Sequence, residues 1–119
     1  EGVGGIMAPL TENRTVLDWM KQLRWPAILV GGTYLGSISH TLSSYEVLKA
    51  YNVPVRAIVV SESEKSTVPM NDTVVALQGF VNPDMPIVKI PRIPVKDEMW
   101  QHVPLISWLI SHEQHREAR

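Results

Sequence analysis

Residues 26–42 read PAILVGGTYLGSISHTL, an apolar run followed by two glycines and a polar segment that leads into a second apolar pattern. Every side chain at positions 27–30 is apolar, which is typical of a parallel strand that is covered on both faces. Ile38, Leu42 and Tyr45 then recur at helical spacing. This stretch therefore predicts a strand, a tight loop and a helix in direct succession.

The same alternation continues on both sides of this stretch. Thr15 and Asp18 have the spacing of a capping box, and they precede an apolar helical stripe that Pro26 ends. Strands that alternate with helices predict an α/β fold, with a mostly parallel sheet flanked by helices. The expected elements are a helix at 15–24, a strand at 27–30, a helix that opens near 37, a strand at 55–60, a helix from 70 or 71 to 79 with Asn71 or Asp72 near its N-cap, a strand at 86–90 and a last helix from 104.

The composition narrows the class of protein. The 119 residues are 45% hydrophobic, carry a formal net charge of −1 and include no cysteine. A chain without a basic face is not expected to bind nucleic acid, and apolar runs this short do not predict a membrane partner. The absence of cysteine excludes disulfides and thiolate metal sites and is compatible with a cytoplasmic location. We therefore expect a cytoplasmic protein with neither nucleic acid nor a membrane as a partner.

Four segments follow strands or precede helices and should meet at one edge of the sheet. In open parallel sheets, ligands bind beyond the carboxyl ends of the strands. The predicted binding edge therefore combines residues 1–5, 31–39, 61–65 and 91–98.

Two of these segments have a chemistry that can be stated from the residues. Glu1 precedes a glycine-rich loop, and a carboxylate there could hold Mg²⁺ while backbone amides approach phosphate oxygens. The alternative is a plain glycine-rich turn. Residues 36–39 open a helix, whose free amides attract an anion such as a carboxylate, and the alternative is ordinary N-capping by Ser37 or Ser39. No GxxxxGK[ST] loop occurs in the chain, so the chain carries no triphosphate cradle of its own.

Three segments resemble dethiobiotin synthetases. Residues 1–10 read EGVGGIMAPL, residues 35–42 read LGSISHTL and residues 54–61 read PVRAIVVS, and together they are similar to the corresponding segments of that family. The resemblance implies that residues 1–119 are the C-terminal portion of a P-loop NTPase-like fold, in one synthetase domain whose Walker A half is absent from this sequence.

The resemblance also implies an activity. Members of this family are ATP-dependent and Mg²⁺-dependent ligases that act as homodimers. They close a ureido ring on 7,8-diaminopelargonate with CO₂, giving dethiobiotin, ADP and phosphate. No catalytic residue of the family falls in this chain, so residues 1–119 alone are expected to be inactive.

The resemblance assigns roles to individual residues. Ser61 replaces the family's usual Asn and Val3 replaces its usual Ala. The metal ligand is Glu1, and the substrate carboxylate is received, across the dimer interface, by Gly36, Ser37, Ile38 and Ser39. The residues expected at ATP are Glu1, Gly2, Val3, Gly4, Ser61, Glu62, Pro91, Arg92, Ile93 and Glu98.

Two other functions fit a P-loop-type chain. One is a ligase or amidotransferase of the cobyrinate diamide synthase type, whose chains usually continue into a glutaminase domain. The other is a non-enzymatic, ATPase-like binding protein of the partitioning or cell-division type. Such proteins use a membrane-targeting tail or a partner surface, whereas residues 112–119 are too short and polar for an amphipathic anchor.

Overall fold

The computed structural model describes residue 2 and residues 4–93, and in this range the chain forms a three-stranded parallel sheet with helices. The expected α/β fold class is confirmed. The predicted helix from residue 104 lies outside the described residues. In chain order the elements are α1 (Val16–Leu23), β1 (Ala27–Gly31), α2 (Ser37–Ala50), β2 (Val55–Ser61), α3 (Met70–Gln78) and β3 (Ile87–Ile90).

The sheet has the order β1-β2-β3, and each strand runs parallel to its neighbour. Leu29, Ile58 and Ile87 lie side by side in the register and form one apolar row across the sheet. This row packs against Tyr45 of α2 and Leu77 of α3. Both helices therefore cover the same face of the sheet, where Ile58 and Leu77 are almost fully buried.

The other face of the edge strand β1 is largely open. Ile28 is 39% exposed and Val30 is 64% exposed, whereas Leu29 between them packs into the core. Alternate residues of a strand point to opposite faces, so the apolar run of β1 is covered on the helix side only. Within residues 2 and 4–93, every helix falls short of the length and hydrophobicity needed to cross a bilayer.

Capping explains where α1 begins. The Thr15 hydroxyl accepts from the Asp18 N–H, and the Asp18 carboxylate accepts from the Thr15 N–H at 3.0 Å, so the predicted capping box is confirmed. The Thr15 hydroxyl also donates to the Asp18 carboxylate at 3.0 Å. The bonds that the carboxylate accepts, first from the Thr15 backbone N–H and then from its hydroxyl, hold the pKa of Asp18 below its usual value, with a smaller contribution from Lys21.

No side chain caps either of the other two helices. Gly36 is the N-cap of α2 with φ of 88°, so capping by Ser37 or Ser39 is wrong. Ser37 is already inside the helix and buried. The N-cap of α3 is Pro69, and Asn71 and Asp72 lie near it in the first turn, as predicted, but neither caps the helix. The side chain of Asn71 instead accepts from Lys89 of β3 at 3.1 Å.

Close approach of α2 to β1 requires a glycine at position 31. A Cβ on Gly31 would collide with the Thr41 hydroxyl, which belongs to a residue only 5% exposed. The contact fixes the distance between the helix and the carboxyl end of β1. It therefore also fixes where the loop between them runs.

We expect Gly31→Ala to lower the free energy of unfolding of the complete protein by about 1–3 kcal/mol, because overpacking forces backbone shifts. Adding Thr41→Ala removes the colliding hydroxyl, so the double variant should be less destabilised than the sum of the two single changes. Gly79→Ala is the matched control, because its Cβ would meet only Ala76 O at 3.5 Å and its φ is −69°. If a denaturant titration shows that the stability losses of Gly31→Ala and Thr41→Ala simply add in the double variant, the collision between the two residues does not cause the destabilisation.

Removal of the capping box by Thr15→Ala should cost about 1 kcal/mol of stability. The charge of Asp18 gives a second readout. Because the pKa of Asp18 is lower in the folded state than in the unfolded state, where it is about 3.9, the ionised carboxylate stabilises the folded protein above that pH. This contribution is lost as the pH falls through the folded-state pKa. The stability gap between the wild type and Asp18→Asn should therefore be full at pH 7 and shrink below about pH 4. A gap that does not change with pH would contradict the assigned hydrogen bonds.

Candidate functional site

The carboxyl ends of the three strands lie at one edge of the sheet. Gly31 pairs with Val60, and Ser61 pairs with Ile90, so all three strands stop at nearly the same level. The Glu62 N–H donates to the Ile90 carbonyl at 2.9 Å, which continues the ladder one step further. We call the segments that follow these ends, residues 31–39, 61–67 and 90–93, the rim.

The first two rim segments are tied together through a buried threonine. The Thr33 N–H donates to the Ser63 hydroxyl at 3.1 Å, and the Ser63 N–H donates to the Thr33 hydroxyl at 2.9 Å. The Thr33 carbonyl accepts from the Thr67 N–H at 3.0 Å. Thr33 is completely buried, and its N–H, carbonyl and hydroxyl all form hydrogen bonds within the protein.

The second and third rim segments are tied through a carboxylate. Glu62 Oε2 accepts from the Arg92 N–H at 2.8 Å, and the Arg92 guanidinium lies 3.7 Å from the Glu64 carboxylate. The sequence-predicted residues Ser61 and Glu62 are thereby brought next to Pro91, Arg92 and Ile93. Part of the Glu62 carboxylate is engaged by a backbone amide.

The start of α2 presents unoccupied backbone donors. The Ser37 N–H donates to the Tyr34 carbonyl at 3.0 Å, but the N–H groups of Ile38 and Ser39 have no partner among the described residues. Helix amides without partners, together with the helix dipole, favour an anion at this end. The amides where the sequence predicted an anion site are thus unoccupied among the described residues, and the competing side-chain cap does not form.

Two rings stand beside this helix start. The Tyr34 hydroxyl lies 3.1 Å from Nδ1 of His40, and the ring centroids are 5.7 Å apart. A Cβ on Gly36 would lie 3.5 Å from Cε1 of His40, which is ordinary contact. The glycine is required by its positive φ rather than by lack of space, since that backbone conformation is strained for other residues.

The fourth predicted segment contacts the start of α1. Gly4 and Gly5 both have φ near 90°, and a Cβ on Gly2 would lie 2.8 Å from Val16 of α1. No described hydrogen bond joins residues 2, 4 and 5 to the rim. Glu1, Val3 and Glu98 lie outside the described residues, so their assignment to Mg²⁺ and ATP stays a prediction, as do the roles of Gly2 and Gly4.

Metal ligands are not grouped in the described part of the chain. Residues 2 and 4–93 contain no cluster of three or more His, Asp or Glu side chains that could hold a metal ion.

A groove among the described residues lies at the opposite end of the sheet. It has a volume of about 770 Å³ and is lined by residues that precede β2 and β3, including Tyr45, Lys49, Phe80 and Asn82. The polar contacts at the rim and this groove are separate features of the fold.

Comparison with known proteins identifies relatives of the whole described region. Residues 1–99 match the family described as an AAA domain. The chain is 45% identical over 92 residues to the ATP-dependent dethiobiotin synthetase BioD of Phenylobacterium zucineum (strain HLK1), covering 77% of this chain and 39% of that protein. It is 39% identical over 111 residues to the protein of the same name from Caulobacter sp. (strain K31), covering 93% of this chain and 46% of that protein.

The chain is also 52% identical over 69 residues to the ATP-dependent dethiobiotin synthetase BioD of Methylobacterium nodulans (strain LMG 21967 / CNCM I-2342 / ORS 2060). That match covers 58% of this chain and 31% of the relative. The resemblance to dethiobiotin synthetases is confirmed. The chain spans less than half the length of these relatives.

Proposed function

We propose that this chain, which belongs to the AAA domain family, is part of an ATP-dependent dethiobiotin synthetase. The complete protein would convert 7,8-diaminopelargonate and CO₂ to a carbamate. ATP would then phosphorylate the carbamate, and attack by the second amine would close the ureido ring, releasing phosphate. The products would be dethiobiotin, ADP and phosphate, and the reaction would require Mg²⁺.

The observation that best supports this proposal is the uncapped start of α2. Gly36 supplies no side chain, and the amides of Ile38 and Ser39 are left for a ligand. A carboxylate placed there would accept charge-assisted hydrogen bonds, which are about twice as strong as neutral ones. The diamine substrate carries such a carboxylate, so this helix start would anchor it at the end remote from the two amines.

The nucleotide would bind on the other side of the rim. We place the adenine and ribose against Ser61, Glu62 and residues 91–93, with Glu98 nearby. Ser61 has only a short hydroxyl side chain, and the Glu62 carboxylate already accepts from the Arg92 N–H. Contacts of these residues with the adenine would therefore come largely from their backbone. Glu1, Gly2, Val3 and Gly4 would face the phosphates.

The Mg²⁺ ion would neutralise charge on the transferring phosphoryl group, and Glu1 is the residue of this chain that would hold it. Phosphoryl transfer depends mostly on positioning and electrostatic stabilisation. The Walker A lysine and hydroxyl would be supplied by the rest of the protein. This chain's share of the reaction would be to bind and orient both substrates.

Several features of the complete protein follow as proposals. It would act in the cytoplasm as a homodimer, with the start of α2 close to the second subunit. Its partners would be small molecules, with no nucleic acid and no membrane among them.

The direct test is an assay of the complete protein with 7,8-diaminopelargonate, bicarbonate, ATP and MgCl₂. We expect a product with the mass of dethiobiotin, formed only when ATP is present. ATP hydrolysis without this product, in a protein that binds ATP normally, would contradict the proposal and favour another ATP-dependent function.

The carboxylate site makes a sharper prediction. In the complete protein, Gly36→Ala disturbs the backbone at a φ of 88° and turns the Ile38 and Ser39 amides away from the carboxylate. Loss of a hydrogen bond to a charged group costs about 1.5–3 kcal/mol, so KM for the diamine should rise about tenfold or more. KM for ATP should change much less.

The matched control is Ser43→Ala, which alters an exposed residue of the same helix away from its start. This variant should leave both KM values unchanged. Equal increases of both KM values in Gly36→Ala would contradict the assignment of the helix start to the diamine.

A further inference from the structure

Thr33 occupies a position that neither the resemblance nor the anion site explains. It lies in the loop between β1 and α2, is completely buried, and forms reciprocal hydrogen bonds with Ser63, thirty residues later. A polar side chain is costly to bury unless its hydrogen bonds are made, and here they are. A valine has nearly the same shape and would fill the space without that cost. The Thr33 hydroxyl therefore has a use other than packing.

The bonds of Thr33 join the two sides of the proposed site. On one side, Thr33 is followed by Tyr34, whose carbonyl accepts from the Ser37 N–H at the start of α2. On the other side, Ser63 follows Glu62, whose carboxylate accepts from the Arg92 N–H. A continuous chain of short contacts thus runs from the helix start to the loop after β3, and Thr33 is its central member.

We propose that Thr33 is a positioning residue that holds the nucleotide-side loop after β2 in register with the carboxylate-binding start of α2. This inference rests on the proposed function, because it takes the two loops to bind the two substrates. Ring closure requires the phosphorylated carbamate and the second amine to meet, and small displacements between bound groups cost rate steeply. The Thr33 hydroxyl keeps the two loops from moving independently.

The variant Thr33→Val removes the hydroxyl and keeps the branched shape. The Ser63 N–H then loses its acceptor, whereas the Thr67 N–H keeps the Thr33 carbonyl. In the complete protein, hydrogen exchange at Ser63 should become at least tenfold faster, and exchange at Thr67 should change little. The Thr67 amide is an internal control for general loosening of the loop, and this measurement does not depend on activity.

Kinetics of the same variant test the positioning role. We expect kcat to fall about tenfold or more, with a smaller change in either KM, because both substrates still bind but are no longer aligned. Thr33→Ser keeps the hydroxyl and should restore most of kcat. Ser63→Ala removes the other bond of the pair, in which the Thr33 N–H donates to the Ser63 hydroxyl. The loss of kcat in the double variant with Thr33→Val should be smaller than the sum of the two single losses, since both bonds join the same two loops.

Ser63 is less buried than Thr33, so Ser63→Ala keeps the proposal testable if Thr33→Val does not fold. If the wild-type protein makes dethiobiotin and both Thr33→Val and Ser63→Ala leave kcat unchanged, this inference is overturned and the proposed function stands. Faster exchange at Ser63 in a protein that makes no dethiobiotin would support the loop contact and overturn the assigned function. A loss of kcat in Thr33→Val that Thr33→Ser does not reverse would show that the hydroxyl is not the operative group.

Discussion

Parallel pairing of β1, β2 and β3 is the constraint on which the other features of this structure depend. Two parallel strands that follow each other in the chain must be joined by a crossover connection, and here α2 and α3 are these connections, both on the same face of the sheet. All three strands therefore end at the same edge, so residues that are distant in the chain come together there. The close contact between Gly31 and Thr41 sets how α2 leaves this edge and hence where its first amides lie.

The rim contains two kinds of polar group: those that are hydrogen-bonded within the protein and those that remain available to a ligand. Thr33, Ser63 and Glu62 are hydrogen-bonded across the loops, so they give the rim its shape. The amides of Ile38 and Ser39 have no partner among the described residues, so they are the groups that can bind a ligand. A rigid frame with a few free donors is the arrangement that binding of a small anion requires.

Local patterns in the sequence predicted local structure well. The capping box of Thr15 and Asp18 and the three strands follow from spacing and hydrophobicity, because these interactions lie within a few residues of each other. Capping of α2 by Ser37 or Ser39 was mispredicted. A serine near a helix start suggests a cap, but the backbone at Gly36 begins this helix before either serine.

Contacts between distant segments could not be predicted in detail. Convergence of the rim loops followed from the parallel sheet, yet the pairing of Thr33 with Ser63 depends on the side-chain geometry of two loops thirty residues apart. Polar residues directly after neighbouring parallel strands were the available signal, and it does not say which of them pair. The resemblance supplied roles for Glu1, Val3 and Glu98 that the described residues neither support nor contradict.

The start of α2 is the proposed binding site for the carboxylate of the diamine. Amide resonances of the ¹⁵N-labelled complete protein, followed during titration with 7,8-diaminopelargonate, test this site. We expect saturable shifts of Ile38 and Ser39, with Phe80 in the groove at the opposite end of the sheet unaffected. Saturation of shifts around Phe80 and Asn82 while Ile38 and Ser39 stay unchanged would contradict this assignment.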